Sequence, residues 1–193
     1  DARATLVDAD VESGRYAEAR AQVALLARRV PGAAPVLARQ ARLEFLMGDV
    51  AAARATAARA AKNAVDTATF GTSLAYYSLL QGQIELDTGH YAAAVTAYRA
   101  ALRAAPGWHT ALAGLARATA AGGDLAAAAQ LWQQAVAVVP QPEYLAALGD
   151  VEATLGRPAA ARQQWATVQA AGQVGAATGQ LYNRQLVLFD ADH

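Results

Sequence analysis

No cysteine occurs among the 193 residues, and its absence removes disulfides, thiolate nucleophiles and sulfur-ligated metals together. Charge is scarce and balanced, with 17% charged residues and a formal net charge of zero. Without a broad basic field there is no long-range attraction for phosphate backbones, so nucleic acid is not an expected partner. No run of about 18 apolar residues free of charged or polar groups is present, so membrane insertion of this segment is not expected. No basic start followed by an apolar core marks a signal peptide. Asp1 falls at or inside a helical pattern, as expected of a cut within a longer chain. The absences leave the compartment undecided.

Chemical motifs are equally sparse. His90, His109 and His193 share no metal-ligand spacing, and the closing Asp190, Asp192 and His193 read as a polar helix end rather than a metal site. Gly122, Gly123 and Asp124 lack the strand, lysine and hydroxyl of a phosphate loop. No Ser, His, Asp arrangement is evident. The chain is read as non-catalytic, with neither cofactor nor metal.

What is abundant is alanine, which supplies much of the 55% hydrophobic fraction. It is the best helix former and lets two helices approach closely. Between Tyr76 and Gln141 the sequence matches itself at a spacing of 34: Gly89, Tyr91, Ala94, Tyr98, Ala101 and Pro106 recur as Gly123, Leu125, Ala128, Trp132, Ala135 and Pro140. A fixed period of this length signals a stacked helix-turn-helix repeat. Three columns extend the match. The turn residue is Gly14, Gly48, Gly89, Gly123, Gly156; the crossing residue is Ala19, Ala53, Ala94, Ala128, Ala161; the bulky residue of the second helix is Val23, Ala57, Tyr98, Trp132, Trp165.

The columns set the expected boundaries: repeats at about 1–33, 34–67, 75–108, 109–141 and 142–175, a terminal helix at about 178–191, and one array over 1–193. The turn glycines Gly48 and Gly89 lie 41 apart where other neighbours are 33 or 34 apart, so about seven residues are inserted near 66–73. This segment is expected to be a loop or a lengthened helix end, with Thr72 or Ser73 capping the next helix. In the last stretch Tyr182, Leu186 and Phe189 fall on one helical face with Leu181 beside them. Two readings stay open for it: the first helix of a sixth repeat, or a contact between copies of the chain.

An acid stands four residues before the turn glycine in four repeats: Asp10, Glu44, Glu85 and Glu152. Each is expected to face exposed N–H groups at the start of a neighbouring helix, where the helix dipole favours negative charge. Arg42 and Arg117, with Gln83 between them, are candidates to hold carboxylates or carbonyls of an extended partner through the two-pronged guanidinium geometry. Phe45, Tyr76 and Leu79 would form an apolar floor beside them.

Leu112, Leu115, Gly123, Ala128, Trp132, Ala135 and Pro140, and again Leu145, Leu148, Gly149, Gly156, Ala161 and Trp165, resemble the tetratricopeptide repeat (TPR) pattern, in the alanine-rich style of bacterial repeat proteins of unassigned function. The pattern departs at Arg3, Gln40, Ser78 and Gln81, where large apolar residues are common. The resemblance implies an all-α, right-handed α-solenoid of about five helix-turn-helix repeats plus a C-terminal helix. It implies a protein or peptide partner held on a concave face lined by the first helix of each repeat. By position that face carries Asp8, Val11, Arg42, Phe45, Tyr76, Leu79, Gln83, Leu86, Thr110, Ala113, Arg117, Glu143, Ala146 and Asp150. The basic and asparagine set with which chaperone-binding relatives clamp a carboxylate is absent. The expected function is a non-catalytic protein- or peptide-binding scaffold. The alternatives are an oligomerisation or architectural module working through Leu181, Tyr182, Leu186 and Phe189, or an accessory domain of a longer enzyme or secretion component.

Overall fold

A computed structural model describes residues 2–67, 70–177 and 184–192. All of its regular structure is helical among those residues. In chain order the helices are α1 (Ala2–Glu12), α2 (Tyr16–Arg29), α3 (Ala34–Leu46), α4 (Val50–Asp66), α5 (Gly71–Asp87), α6 (Tyr91–Ala104), α7 (His109–Ala121), α8 (Leu125–Val138), α9 (Pro142–Thr154), α10 (Pro158–Ala177) and α11 (Arg184–Asp192). The chain divides into two compact units, Asp1–Pro106 and Gly107–His193.

The helix-turn-helix joint is built the same way each time. Gly14, Gly48, Gly89, Gly123 and Gly156 all have positive φ, between 72° and 94°. That backbone region is open to glycine and strained for side chains with a Cβ. At each joint the glycine N–H bonds to the carbonyl three residues back, and the next N–H to the carbonyl five back. Examples are Gly14 to Val11 at 3.0 Å and Arg15 to Asp10 at 2.8 Å, repeated at Gly89 to Leu86 at 3.0 Å and His90 to Glu85 at 2.8 Å. This is the Schellman closure, which satisfies carbonyls left over at a helix end. Asp49 and Asp124 then cap the following helices, accepting from the N–H groups of Ala52 at 3.2 Å and Ala127 at 3.0 Å.

In the first unit α1 packs with α2, α3 with α4 and α5 with α6, and the pairs stack through α2 on α3 and α4 on α5. The crossing alanines Ala19, Ala53 and Ala94 have no exposed surface. Val7, Val11, Val23, Leu26 and Leu43 fill the first interface, whereas Ala41, Ala53, Ala57 and Ile84 with partly buried Phe45 fill the next. In the second unit α7 packs with α8, α9 with α10, and α8 on α9, with Ala128 and Ala161 again fully buried. Helix α11 lies on α9 and α10, where Phe189 joins Leu145 and Val168.

Two members of the bulky column, Tyr98 and Trp165, pack against the first helix of their own repeat. Tyr98 has no exposed surface and lies against Gly82, where an added Cβ would stand 2.9 Å from its ring. Gly149 and Trp165 repeat the arrangement in the second unit. Helix interiors disfavour glycine by about 1 kcal/mol relative to alanine, so here its lack of a side chain is what admits the ring.

The insertion takes a form only half expected. Most of it lengthens helices: α4 and α5 each have 17 residues, against 13 or 14 in α2, α3, α6, α7, α8 and α9. Thr72 and Ser73 do not cap α5. The helix begins earlier, at Gly71, with Phe70 at the cap position and no side-chain cap bond. Gly71, at φ 61°, lets the chain turn into the helix before either hydroxyl is reached.

Candidate functional site

The first helices of the first unit bring together a hollow of about 250 Å³ lined by Asp8, Pro35, Ala38, Arg39, Arg42, Tyr76 and Tyr77. Arg39 forms a two-pronged pair with Asp8, Nε to Oδ1 at 3.0 Å and Nη2 to Oδ2 at 2.8 Å, joining α3 to α1. One turn further along, Arg42 Nη2 meets Glu12 Oε1 at 2.6 Å, both side chains at least half exposed. Tyr76 is 47% exposed and meets buried Tyr77 edge-on, their ring centroids 5.5 Å apart. Burial raises the Tyr77 phenol above its ordinary pKa, with Tyr76 adding to the rise and Arg39 opposing it.

Arg42 and Tyr76 line this one hollow, whereas the other residues that the repeat pattern puts beside them stand elsewhere. Phe45 turns into the core beside Ala41, Ala57 and Ile84. Leu79 is half-buried. Gln83 bonds within its own repeat, donating to Asp87 at 2.8 Å and accepting from the Tyr98 hydroxyl at 3.4 Å. Arg117 and Asp150 belong to the second unit. There Arg117 is exposed, and Asp150 accepts from Trp165 Nε1 at 3.2 Å. Leu181 and Tyr182 lie outside the described residues, Leu186 is half-buried, and Phe189 is buried against its own chain.

Arg39 was not singled out in the sequence, although a signal existed. Asp8 and Arg39 are 31 apart and Glu12 and Arg42 are 30 apart. On stacked repeats, one period less about one helical turn brings side chains of equivalent helices into register.

The acidic column is corrected by the structure. Asp10, Glu85 and Glu152 are buried, but they meet basic side chains rather than helix N-termini. Arg15 Nε donates to Asp10 Oδ1 at 2.9 Å, and Arg157 Nη1 to Glu152 Oε2 at 3.1 Å. Glu85 Oε2 takes Arg54 Nε at 2.8 Å, with His90 Nδ1 at 3.7 Å. The Schellman turn explains the pairing. It holds the residue after the glycine against the residue five before it, so an acid and a base at those two places meet. Glu44 differs, because the residue after its glycine is Asp49. Gln40 serves its Oε1 at 2.7 Å, and Oε2 is buried without a hydrogen-bond partner.

In the second unit His109 Nδ1 lies 3.0 Å from the Tyr144 hydroxyl, and Tyr144 packs on Trp132 with centroids 5.6 Å apart. Burial, with Glu143 adding to it, raises the Tyr144 phenol, opposed by Thr110 and Arg117. No cluster of three metal-ligating side chains occurs among the described residues.

The repeated Schellman turns, crossing alanines and paired helices define a TPR-type helical repeat protein. The tetratricopeptide repeat model TPR_16 matches residues 79–137 and 115–176, together just over half of the chain, and the chain belongs to that family. Its fold is similar to that of MamA from Desulfovibrio magneticus RS-1, at TM-score 0.75 and 20% identity over 90% of this chain and 97% of the other. It is also similar to TTC0263, a thermophilic TPR protein of Thermus thermophilus, at TM-score 0.70 and 17% identity over 98% and 96%. A third neighbour is YrrB, described as a TPR protein with an unusual peptide-binding site, at TM-score 0.66 and 11% identity over 93% and 91%. No curated protein sequence matched the chain.

Proposed function

We propose that the chain is a non-catalytic scaffold that binds an extended segment of a protein partner on the first-helix face of its first unit. The observation that carries this is the hollow where Arg42 and exposed Tyr76 stand beside the Arg39–Asp8 pair. Arg42 is held only by an exposed pair, which is worth little and is readily exchanged for a partner's carboxylate or carbonyl. Tyr76 offers a rigid ring with a polar tip, a common anchor at protein interfaces. Arg39, locked by Asp8, contributes a fixed wall and not a free cation. The family favours the reading, since helical repeats present extended binding surfaces, and YrrB is a structural neighbour described by its peptide-binding site.

The test is selection of peptides from a random display library on the purified protein, followed by calorimetry of the winners. Tyr76→Ala and Arg42→Ala should each weaken a selected peptide by roughly tenfold or more, the scale of one anchoring contact. Selected peptides that bind both variants as tightly as the parent would place the site elsewhere.

A further inference from the structure

A second and larger hollow in the first unit, about 410 Å³, lies between α2 and α3 and reaches the turn before α4. It shares no residue with the hollow at Tyr76. Val23, Ala24, Ala27, Leu43 and Met47 give it apolar walls, and the charged residues Arg20, Glu44 and Asp49 also line it. Gln40 and Glu44 occupy columns filled by Leu115 and Thr119 in the repeat of α7 and α8.

The charge pattern of the repeats says what this hollow lacks. Where a buried acid precedes the turn glycine in the other repeats, the residue after the glycine is a base: Arg15, His90 or Arg157. In this repeat alone the acid Glu44 is followed by a second acid, Asp49, whose Oδ1 is taken by the Ala52 N–H. Glu44 Oε2 keeps less than 1 Å² of exposed surface and has no donor. Arg20 lines the hollow without pairing to either acid. A buried carboxylate oxygen without a donor is costly, and a cation beside it removes the cost.

We infer that this hollow is a binding site for a lysine or arginine side chain of a protein partner, its aliphatic stem on Val23, Leu43 and Met47 and its charged head on Glu44 and Asp49. Basic side chains suit such a place because their stems bury readily while the head seeks an acceptor. The lining carries two acids against one base, so the charge balance favours a cation. The inference concerns a separate cavity and stands whether or not the first-helix face binds a peptide.

Met47 is the only methionine in the chain and lines this cavity, so its ¹³C-labelled methyl group gives one assignable signal at the site. N-acetyl-arginine-methylamide should shift that signal saturably, and the uncharged N-acetyl-norleucine-methylamide should bind at least about tenfold more weakly, the difference of one charge-assisted contact. Glu44→Gln should abolish that preference for charge. Asp49→Arg, which installs the base found in the other repeats, should block the site even if Glu44→Gln fails to fold. Equal shifts by the arginine and norleucine compounds would reduce the hollow to an apolar patch and overturn the inference. So would no saturable shift, or undiminished binding by Asp49→Arg. Tighter binding of putrescine than of the capped arginine would also overturn it, in favour of a free diamine.

Discussion

Gly82→Ala tests the packing logic of the repeats because two effects of similar size oppose each other in it. Alanine is the better helix former in the interior of α5, by about 1 kcal/mol. At this place, however, its methyl group would stand 2.9 Å from two ring carbons of Tyr98. Ordinary van der Waals contact lies at 3.4–4 Å, so the ring must give by about half an ångström. It has nowhere to go, since Tyr98 has no exposed surface. Overpacking of this kind costs about 1–3 kcal/mol. The balance predicts a net loss of about 1 kcal/mol and a fall in Tm of roughly 2–4 °C, given the scaling for chains of this size. Urea and thermal unfolding followed by circular dichroism would read it. Tyr98→Leu costs stability alone, but it makes room for the methyl group, so Gly82→Ala should be harmless or mildly stabilising in that background. A Tm that rises in the single variant would refute the reasoning, because it would mean that helix propensity and not the ring decides the residue.

Other outcomes follow from the same geometry. A double-mutant cycle on Glu85 and Arg54 should show a coupling of about 1–2 kcal/mol, as the carboxylate is buried and the guanidinium one-third exposed; unfolding curves of Glu85→Gln, Arg54→Met and the pair would give it. Arg42→Ala should change stability by less than about 1 kcal/mol, since its pair with Glu12 is exposed, which allows its effect on binding to be read without a folding defect. Asp49→Ala should lower stability by about 1 kcal/mol through loss of the α4 cap. Tyr77 and Tyr144 have folded pKa values raised above the ordinary 10.0. Their contribution is therefore complete below about pH 10 and is lost as pH rises through the higher folded values. Phenolate absorbance should show late-titrating groups, and Tyr144→Phe should remove one of them.

What the sequence disclosed and what it hid have physical causes. The turn glycines could be read because each must adopt positive φ, and the crossing alanines because two helices touch there; both demands act on one residue at a fixed period. The gap between Gly48 and Gly89 showed that residues had been inserted but not their form, because the added residues include good helix formers and two helices absorb most of them. The acids were visible as a column, but their partners were mistaken. The helix dipole bears on the acid alone, whereas the Schellman turn joins it to the residue five positions later, where Arg15 and Arg157 stand; Glu85 takes its main partner, Arg54, from the preceding repeat. Half of the candidate site was legible for a related reason. Arg42 and Tyr76 follow from position on the first helix, but Phe45 sits at the edge of that face, and burial draws its ring into the space left by Ala53 and Ala57. Arg39 escaped notice because its role depends on Asp8, one repeat away.

The proposal that the first-helix face of the first unit receives the partner is tested most directly by site-specific photocrosslinking. A benzoylphenylalanine in place of Tyr76, and a control in place of exposed Arg59 on α4, would each be irradiated with a peptide selected on the unmodified protein. The account predicts that the peptide is captured at position 76 and not at position 59, with capture lost when unlabelled peptide competes. Capture at position 59 with none at 76 would contradict it and place the partner on the second helices.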